Sequence, residues 1–194
     1  MSGLQPHHMI IKNARIAFTD LLKAVEYEAG DGKPRYGAQL LLPKDDPQIA
    51  IIWGIAEKLF KEQFPKGKEA EIYLNAVKGD PKSRCINDGD TKVYDGYAGH
   101  FFITAHRRGV DGPPLVKTRD MKSDVREEDG IVYSGCYVNA KVNFWVQDNK
   151  NGKGLRCGLE VIQFVRDGTA FSSAAPATAD GMEPEPEEDP ASMV

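Results

Sequence analysis

The most regular stretch of the chain is Ile131–Gln147, where apolar and polar positions alternate almost without interruption. Strand side chains point to opposite faces in turn, so this stretch predicts a long strand with two distinct faces. Its even positions are Val132, Cys136, Val138, Ala140, Val142, Phe144 and Val146, with Ser134 the one polar member, and they form a core face. The odd positions, Tyr133, Tyr137, Asn139, Lys141, Asn143, Trp145 and Gln147, face outward. Asp148–Gly154 supplies turn chemistry, including Asn-Gly, and Leu155–Arg166 returns as the partner strand of a hairpin.

Earlier elements are read the same way. His8–Phe18 alternates loosely as a first strand, and Gly30, Asp31, Gly32 and Pro34 punctuate the turn into a second, Arg35–Leu42. Asp46 as N-cap and Pro47 at the first helical position open a helix. Its apolar stripe is Ile49, Ile52, Trp53, Ala56, Leu59, Phe60 and Phe64, and it places Trp53 in the core. A short strand near Ile72–Leu74 and a strand over Phe101–Arg108 follow, while Lys117–Asp129 reads as a mobile polar loop or arm. About five strands and one inserted helix predict a mainly β protein, an OB-fold-like five-stranded barrel. A sandwich satisfies the same strand pattern.

Charge changes the picture at the C-terminus. The six acids of residues 171–194 are Asp180, Glu183, Glu185, Glu187, Glu188 and Asp189, with no Lys or Arg among them. The remaining 25 basic and 23 acidic residues leave residues 1–170 at a net charge of +2. We therefore divide the chain into a folded domain, 1–170, and a disordered acidic tail, 171–194. The tail has too few apolar residues to offset its ordering entropy, and such blocks serve as interaction tails. No apolar stretch approaches the roughly 20 residues of a membrane span, and no signal-peptide core opens the chain. A cytoplasmic protein is expected. Cys85, Cys136 and Cys157 lack metal-ligand or disulfide spacing and are expected as small core residues in a reducing compartment.

The outward faces carry the candidate chemistry. Tyr133, Tyr137 and Trp145 alternate with Lys141 and amides, and Phe101–Arg108 repeats the pattern with His100, Phe102, Thr104, His106 and Arg108 outward. Arg107, Lys117, Arg119 and Lys122 are close in sequence. Exposed rings beside cations suit unpaired nucleic acid, because every base has a face to stack and every nucleotide a phosphate to neutralise. We take Phe102, Arg107, Arg108, Lys117, Arg119, Tyr133, Tyr137, Lys141 and Trp145 as the nucleic-acid-binding set. Aromatics on a sheet also pack under loops, but burying the whole set would take Lys141 and Arg108 with it at high cost. Asp88-Gly89-Asp90 reads as a turn rather than a nuclease metal site. No nucleophile–base pair, phosphate loop or cofactor motif is present, so no catalytic role and no cofactor are expected.

Tyr133-Ser134-Gly135-Cys136-Tyr137-Val138, Val142-Asn143-Phe144-Trp145 and Asn151-Gly152-Lys153-Gly154-Leu155 resemble a family of phage single-stranded DNA-binding proteins. Leu159, Gln163, Val165-Arg166-Asp167-Gly168, Asn87-Asp88-Gly89-Asp90, Tyr97–Ile103 and Asn13-Ala14-Arg15-Ile16 extend the resemblance over about residues 8–170. It implies an OB-fold that coats exposed strands in phage replication or recombination in the host cytoplasm. It also implies an acidic tail that recruits replication or recombination proteins. The chain departs from related proteins that end in an aromatic residue, closing instead on Ser192-Met193-Val194. A homodimer is compatible with this reading. The competing assignment is a phage structural or adaptor protein that binds other proteins through its tail and aromatic strands.

Overall fold

The computed structural model describes residues 7–26, 32–150 and 152–172. All but the first two residues of the acidic tail lie outside these residues.

Among the described residues seven strands form one sheet: β1 (His8–Val25), β2 (Arg35–Pro43), β3 (Ile86–Asp88), β4 (His100–Arg108), β5 (Leu115–Lys117), β6 (Tyr137–Asn149) and β7 (Gly152–Arg166). Their order is β3-β4-β2-β1-β6-β7-β5. One further pairing, parallel, sets His106 of β4 opposite Gly158 of β7. It closes β1, β2, β4, β7 and β6 into a five-stranded barrel, with β3 and β5 as short additions.

The barrel closes because each strand offers one apolar face. Ile11, Ile16, Leu40, Leu42, Ile103, Ala105, Val138, Ala140, Val142, Leu155 and Ile162 are all fully buried within it. The core face assigned to Ile131–Gln147 is borne out from Cys136 to Phe144. All three cysteines are buried and free, as expected of core residues.

Helix α1 (Gln48–Gln63) lies between β2 and β3 and buries Ile49, Ile52, Ala56 and Phe60. The helix opens one residue later than expected, with Pro47 rather than Asp46 at the N-cap position, while Asp46 Oδ1 accepts the Gln48 N–H at 2.8 Å. Trp53 packs against the core, and the Lys78 ammonium lies 5.3 Å from its ring centre.

Four further expectations need correction. The described residues hold two α-helices, not one: Ile72–Leu74 falls inside α2 (Glu69–Gly79), whose buried stripe is Ala70, Leu74 and Val77. That 3.6-residue spacing overrides the local β-preference of Ile72 and Tyr73 and leaves Ile72 exposed. The first strand runs on to Val25, through register shifts against β2. The long strand begins only at Tyr137, because Gly135, with φ +108°, turns the chain just before it. Lys117–Asp129 is docked on the barrel: β5 pairs with β7, and Val125, buried, donates its N–H to Val116 O at 2.8 Å.

Candidate nucleic-acid interface

The outer faces of β6 and β7, flanked by β4 and β5, form one strip that collects most of the predicted site. At one end is a groove of about 440 Å³ lined by His106, Arg107, Arg108, Asn143, Trp145 and Glu160. Its floor is the barrel seam, where Gly158 stands opposite both His106 and Asn143. A side chain at Gly158 would run into Asn143 Oδ1 and come within 3.2 Å of Trp145 Cζ3, so the missing Cβ lets both lie flat across the strand. Trp145 keeps 42% of its surface open to solvent.

The groove is electrically mixed. Arg108 forms a bidentate pair with Asp111 at 2.7 and 2.8 Å. Arg107 donates to the carbonyls of Gly112 and Asp111, at 2.9 and 3.0 Å, and its charge adds to that of Arg108 in holding the Asp111 carboxyl below its ordinary value. Burial, with Arg35 nearby, pushes the His106 imidazole below its ordinary value and keeps it neutral at pH 7. Glu160 ties the groove to the middle of the strip, accepting from Lys141 and His8, each at 2.7 Å. Burial alone would raise the Glu160 carboxyl, but these two donors outweigh it and hold the group low.

Further along, Asn139 donates to Gln163 Oε1 and Gln163 donates to Arg119 O, both at 2.8 Å, linking β6 across β7 to the segment after β5. Lys117 sits there paired with Asp124 at 2.6 Å, and Arg119 is exposed. The far end is Tyr137, with the Arg166 guanidinium 3.3 Å from its ring centre and Arg15 5.7 Å away. Arg15, Arg166 and Glu160 were missed as site residues; reading Leu155–Arg166 by faces would have shown Glu160 and Arg166 beside the outward residues of its partner strand.

Two of the predicted contacts are placed differently. Phe102 does point outward from the barrel, but the loop before β4 covers it, leaving it 5% exposed under Tyr97 in a second small core with Ala17 and Leu41. Tyr133 stands before the strand rather than on it. Its hydroxyl lies 3.0 Å from Asp167 Oδ1 and Gly168 O and accepts the Gly168 N–H, latching the chain after β7.

Asp88 and Asp90 are architectural. Lys44 bridges them at 2.7 and 2.5 Å, Asp88 caps the short turn Gly89–Thr91, and Asp90 accepts the Gly99 N–H at 2.7 Å. The Lys44 hydrogen bonds hold both carboxyls below their ordinary value. These contacts pin the loop that carries Tyr94 and Tyr97, so the motif is the turn that its sequence suggests.

A five-stranded barrel with an aromatic and cationic strip across its outer surface is the build of an oligonucleotide-binding domain of the OB class. The chain belongs to the family described as Enterobacter phage Enc34, ssDNA-binding protein, which it matches over residues 7–192. It is 37% identical to protein p50 of Acyrthosiphon pisum secondary endosymbiont phage 1, over 88% of this chain and 89% of that protein. Among solved structures it is similar to the single-stranded DNA-binding protein from bacteriophage Enc34 in complex with ssDNA. The identity is 26%, the TM-score 0.68, and the match covers 86% of this chain and 90% of that one. Gp2.5, a single-stranded DNA-binding protein encoded by bacteriophage T7, shares the fold at 14% identity and a TM-score of 0.55, covering 94% of this chain and 98% of that one.

Proposed function

We propose that this protein binds single-stranded DNA along the β6–β7 strip, coating strands exposed during phage replication or recombination in the host cytoplasm. The observation that carries the reading is the groove in which an exposed Trp145 lies beside Arg107 and Arg108 over a bare Gly158. Bases stack on the ring while the guanidiniums meet phosphates, so binding tolerates any sequence and involves no catalytic step. From Tyr137 to Trp145 the strip runs about 26 Å, at roughly 3.3 Å per residue, a span of several nucleotides. The solved complex of the Enc34 protein with ssDNA supports the same ligand.

Titration with oligo(dT) tests this directly: tryptophan fluorescence should be quenched as Trp145 stacks, and duplex of equal length should bind far more weakly. Equal affinity for duplex and single strands would point to a generic basic patch, and no binding to either would leave the adaptor reading.

The acidic tail acts as a tethered competitor for the same cations and, once DNA displaces it, recruits replication or recombination proteins. Its six acids are held at high effective concentration near the strip. Deleting residues 173–194 should tighten ssDNA binding at low salt, with a gain that shrinks as salt shortens the screening length. Unchanged or weaker binding at low salt after truncation defeats the competition.

A further inference from the structure

After β7 the chain folds back over the barrel as a short strap, residues 167–172. Arg15 Nη2 donates to Thr169 O at 2.5 Å, the Phe171 N–H to Ser134 O at 2.9 Å, and the Ser172 N–H to Asp95 Oδ2 at 3.1 Å. The strap delivers the Phe171 ring to a fitted place. Any side chain at Gly96 would run into that ring, and the Arg15 guanidinium lies 4.0 Å from its centre. Tyr94 and Tyr97 pack nearby, with Phe18 edge-on to Tyr94 at 5.2 Å. Phe18 holds a left-handed backbone conformation, φ +50°, which is uncommon for a bulky residue and concentrates at binding sites. It stays 39% exposed.

Arg15 reaches Tyr137 as well as Phe171, and the Arg166 guanidinium also lies over the Tyr137 ring. Phe171, Arg15, Tyr137 and Arg166 therefore alternate ring and guanidinium in one row that begins at the end of the β6–β7 strip. With Phe171 seated, the remaining cleft between Phe18, Tyr94 and Ser134 is only about 30 Å³, too small for a base. Without that ring the row ends in a flat slot roofed by a guanidinium, which is how arginine holds a base. The chain beyond the ring carries only acids as charged residues, so an aromatic ring followed by anions repeats the chemistry of a nucleotide.

We propose that Phe171 occupies a nucleobase slot, and that single-stranded DNA running past Tyr137 displaces the ring and stacks a base on Arg15 in its place. This rests on the ssDNA reading above. The slot is a stacking position separate from the Trp145 groove, and its occupant is part of the protein itself.

Two measurements on the full chain test it. Hydrogen exchange should show the Phe171 and Ser172 amides losing protection when oligo(dT) is bound. Phe171→Ala, which keeps all six tail acids, should bind oligo(dT) up to about tenfold more tightly if the ring fills the slot in roughly nine molecules of ten. Phe171→Tyr should bind as the wild type does. Amides that stay protected in the complex, or a folded Phe171→Ala variant with wild-type or weaker affinity, overturn the slot. Should circular dichroism show that Phe171→Ala is unfolded, wild-type exchange decides alone. Failure of every variant, wild type included, to bind oligo(dT) sinks the ssDNA reading and the slot with it. Binding by the wild type with unchanged exchange sinks the slot only.

Discussion

Trp145→Ala separates a stacking platform from a packing residue. The free protein leaves 42% of this side chain open, which for a tryptophan of about 250 Å² is roughly 100 Å². Covering that area with a base is worth about 2.5 kcal/mol at 25 cal/mol per Å². This agrees with the roughly 1–3 kcal/mol that single stacked bases cost on alanine substitution. A loss of about 2 kcal/mol is a drop of about 30-fold in affinity. The substitution opens no core cavity, because the ring lies on the outer face over Gly158. Anisotropy of a labelled oligo(dT) measures the affinity. Trp53, on α1 and packed against the core, remains as an internal emitter, so the DNA-induced quench should vanish with Trp145 while emission from the core persists. A folded Trp145→Ala protein with wild-type affinity would refute the groove as a stacking site.

Phe102→Ala should behave in the opposite sense. Its ring is 5% exposed, so truncation should cost about 3–5 kcal/mol of folding stability in urea melts, as for other core aromatics. Loss of binding without loss of stability would instead restore it as a contact. Log affinity for oligo(dT) should fall with log salt at a slope of about −2 to −3.5 if three to five phosphates are met, at roughly 0.7 each; a flat dependence would remove phosphates from the interface. Acid should loosen the loop over Phe102. Asp88 and Asp90 are held below their ordinary 3.8 by Lys44, so their contribution is full above that value and disappears as pH falls through their lower folded values. Tyrosine near-UV circular dichroism from pH 7 to 2 should report the change, and Asp90→Asn should weaken the same signal at neutral pH; an unaltered signal in both cases would show that the lysine bridge is not what holds the loop.

The barrel was legible because period-2 alternation survives wherever one face is buried and the other is not. That holds from Cys136 to Phe144, although β6 itself starts later than expected, at the Gly135 turn. Strands β2 and β4 bury Leu41 and Phe102 on the outer side as well, and their predicted bounds still lie within one residue of the observed ones. The second helix was not legible. Ala70, Leu74 and Val77 make a narrow stripe, and Ile72 and Tyr73 between them imitate a strand. Alternation also says which side of a sheet a residue points to, but not what lies on that side. Phe102 and Trp145 share the outer surface; Tyr97 covers the first and nothing among the described residues covers the second to the same degree. The loop that makes this difference is fixed by Lys44 from the end of β2, more than 40 residues before it in the chain. Contacts so distant leave no local signature, and the same is true of Arg15 on β1 meeting Phe171.

The pairing of the strip's cations bears on why the protein should prefer unpaired strands. Lys141, Arg108 and Lys117 each carry a carboxylate at hydrogen-bond distance, namely Glu160, Asp111 and Asp124. A phosphate reaching any of them must displace an anion already present, so the exchange gains little net charge neutralisation. A duplex offers this surface phosphates and little else, because its bases are stacked on one another. A single strand adds base faces for Trp145, at a stacking energy of roughly 1–3 kcal/mol each. Neutralising the strip from within thus weakens the term common to both ligands and leaves intact the term only one of them can supply. Glu160→Gln sharpens the point: freeing Lys141 from its carboxylate should strengthen duplex binding proportionally more than single-strand binding. An equal gain for the two ligands, measured side by side at low salt, would mean that the carboxylates do not set the preference.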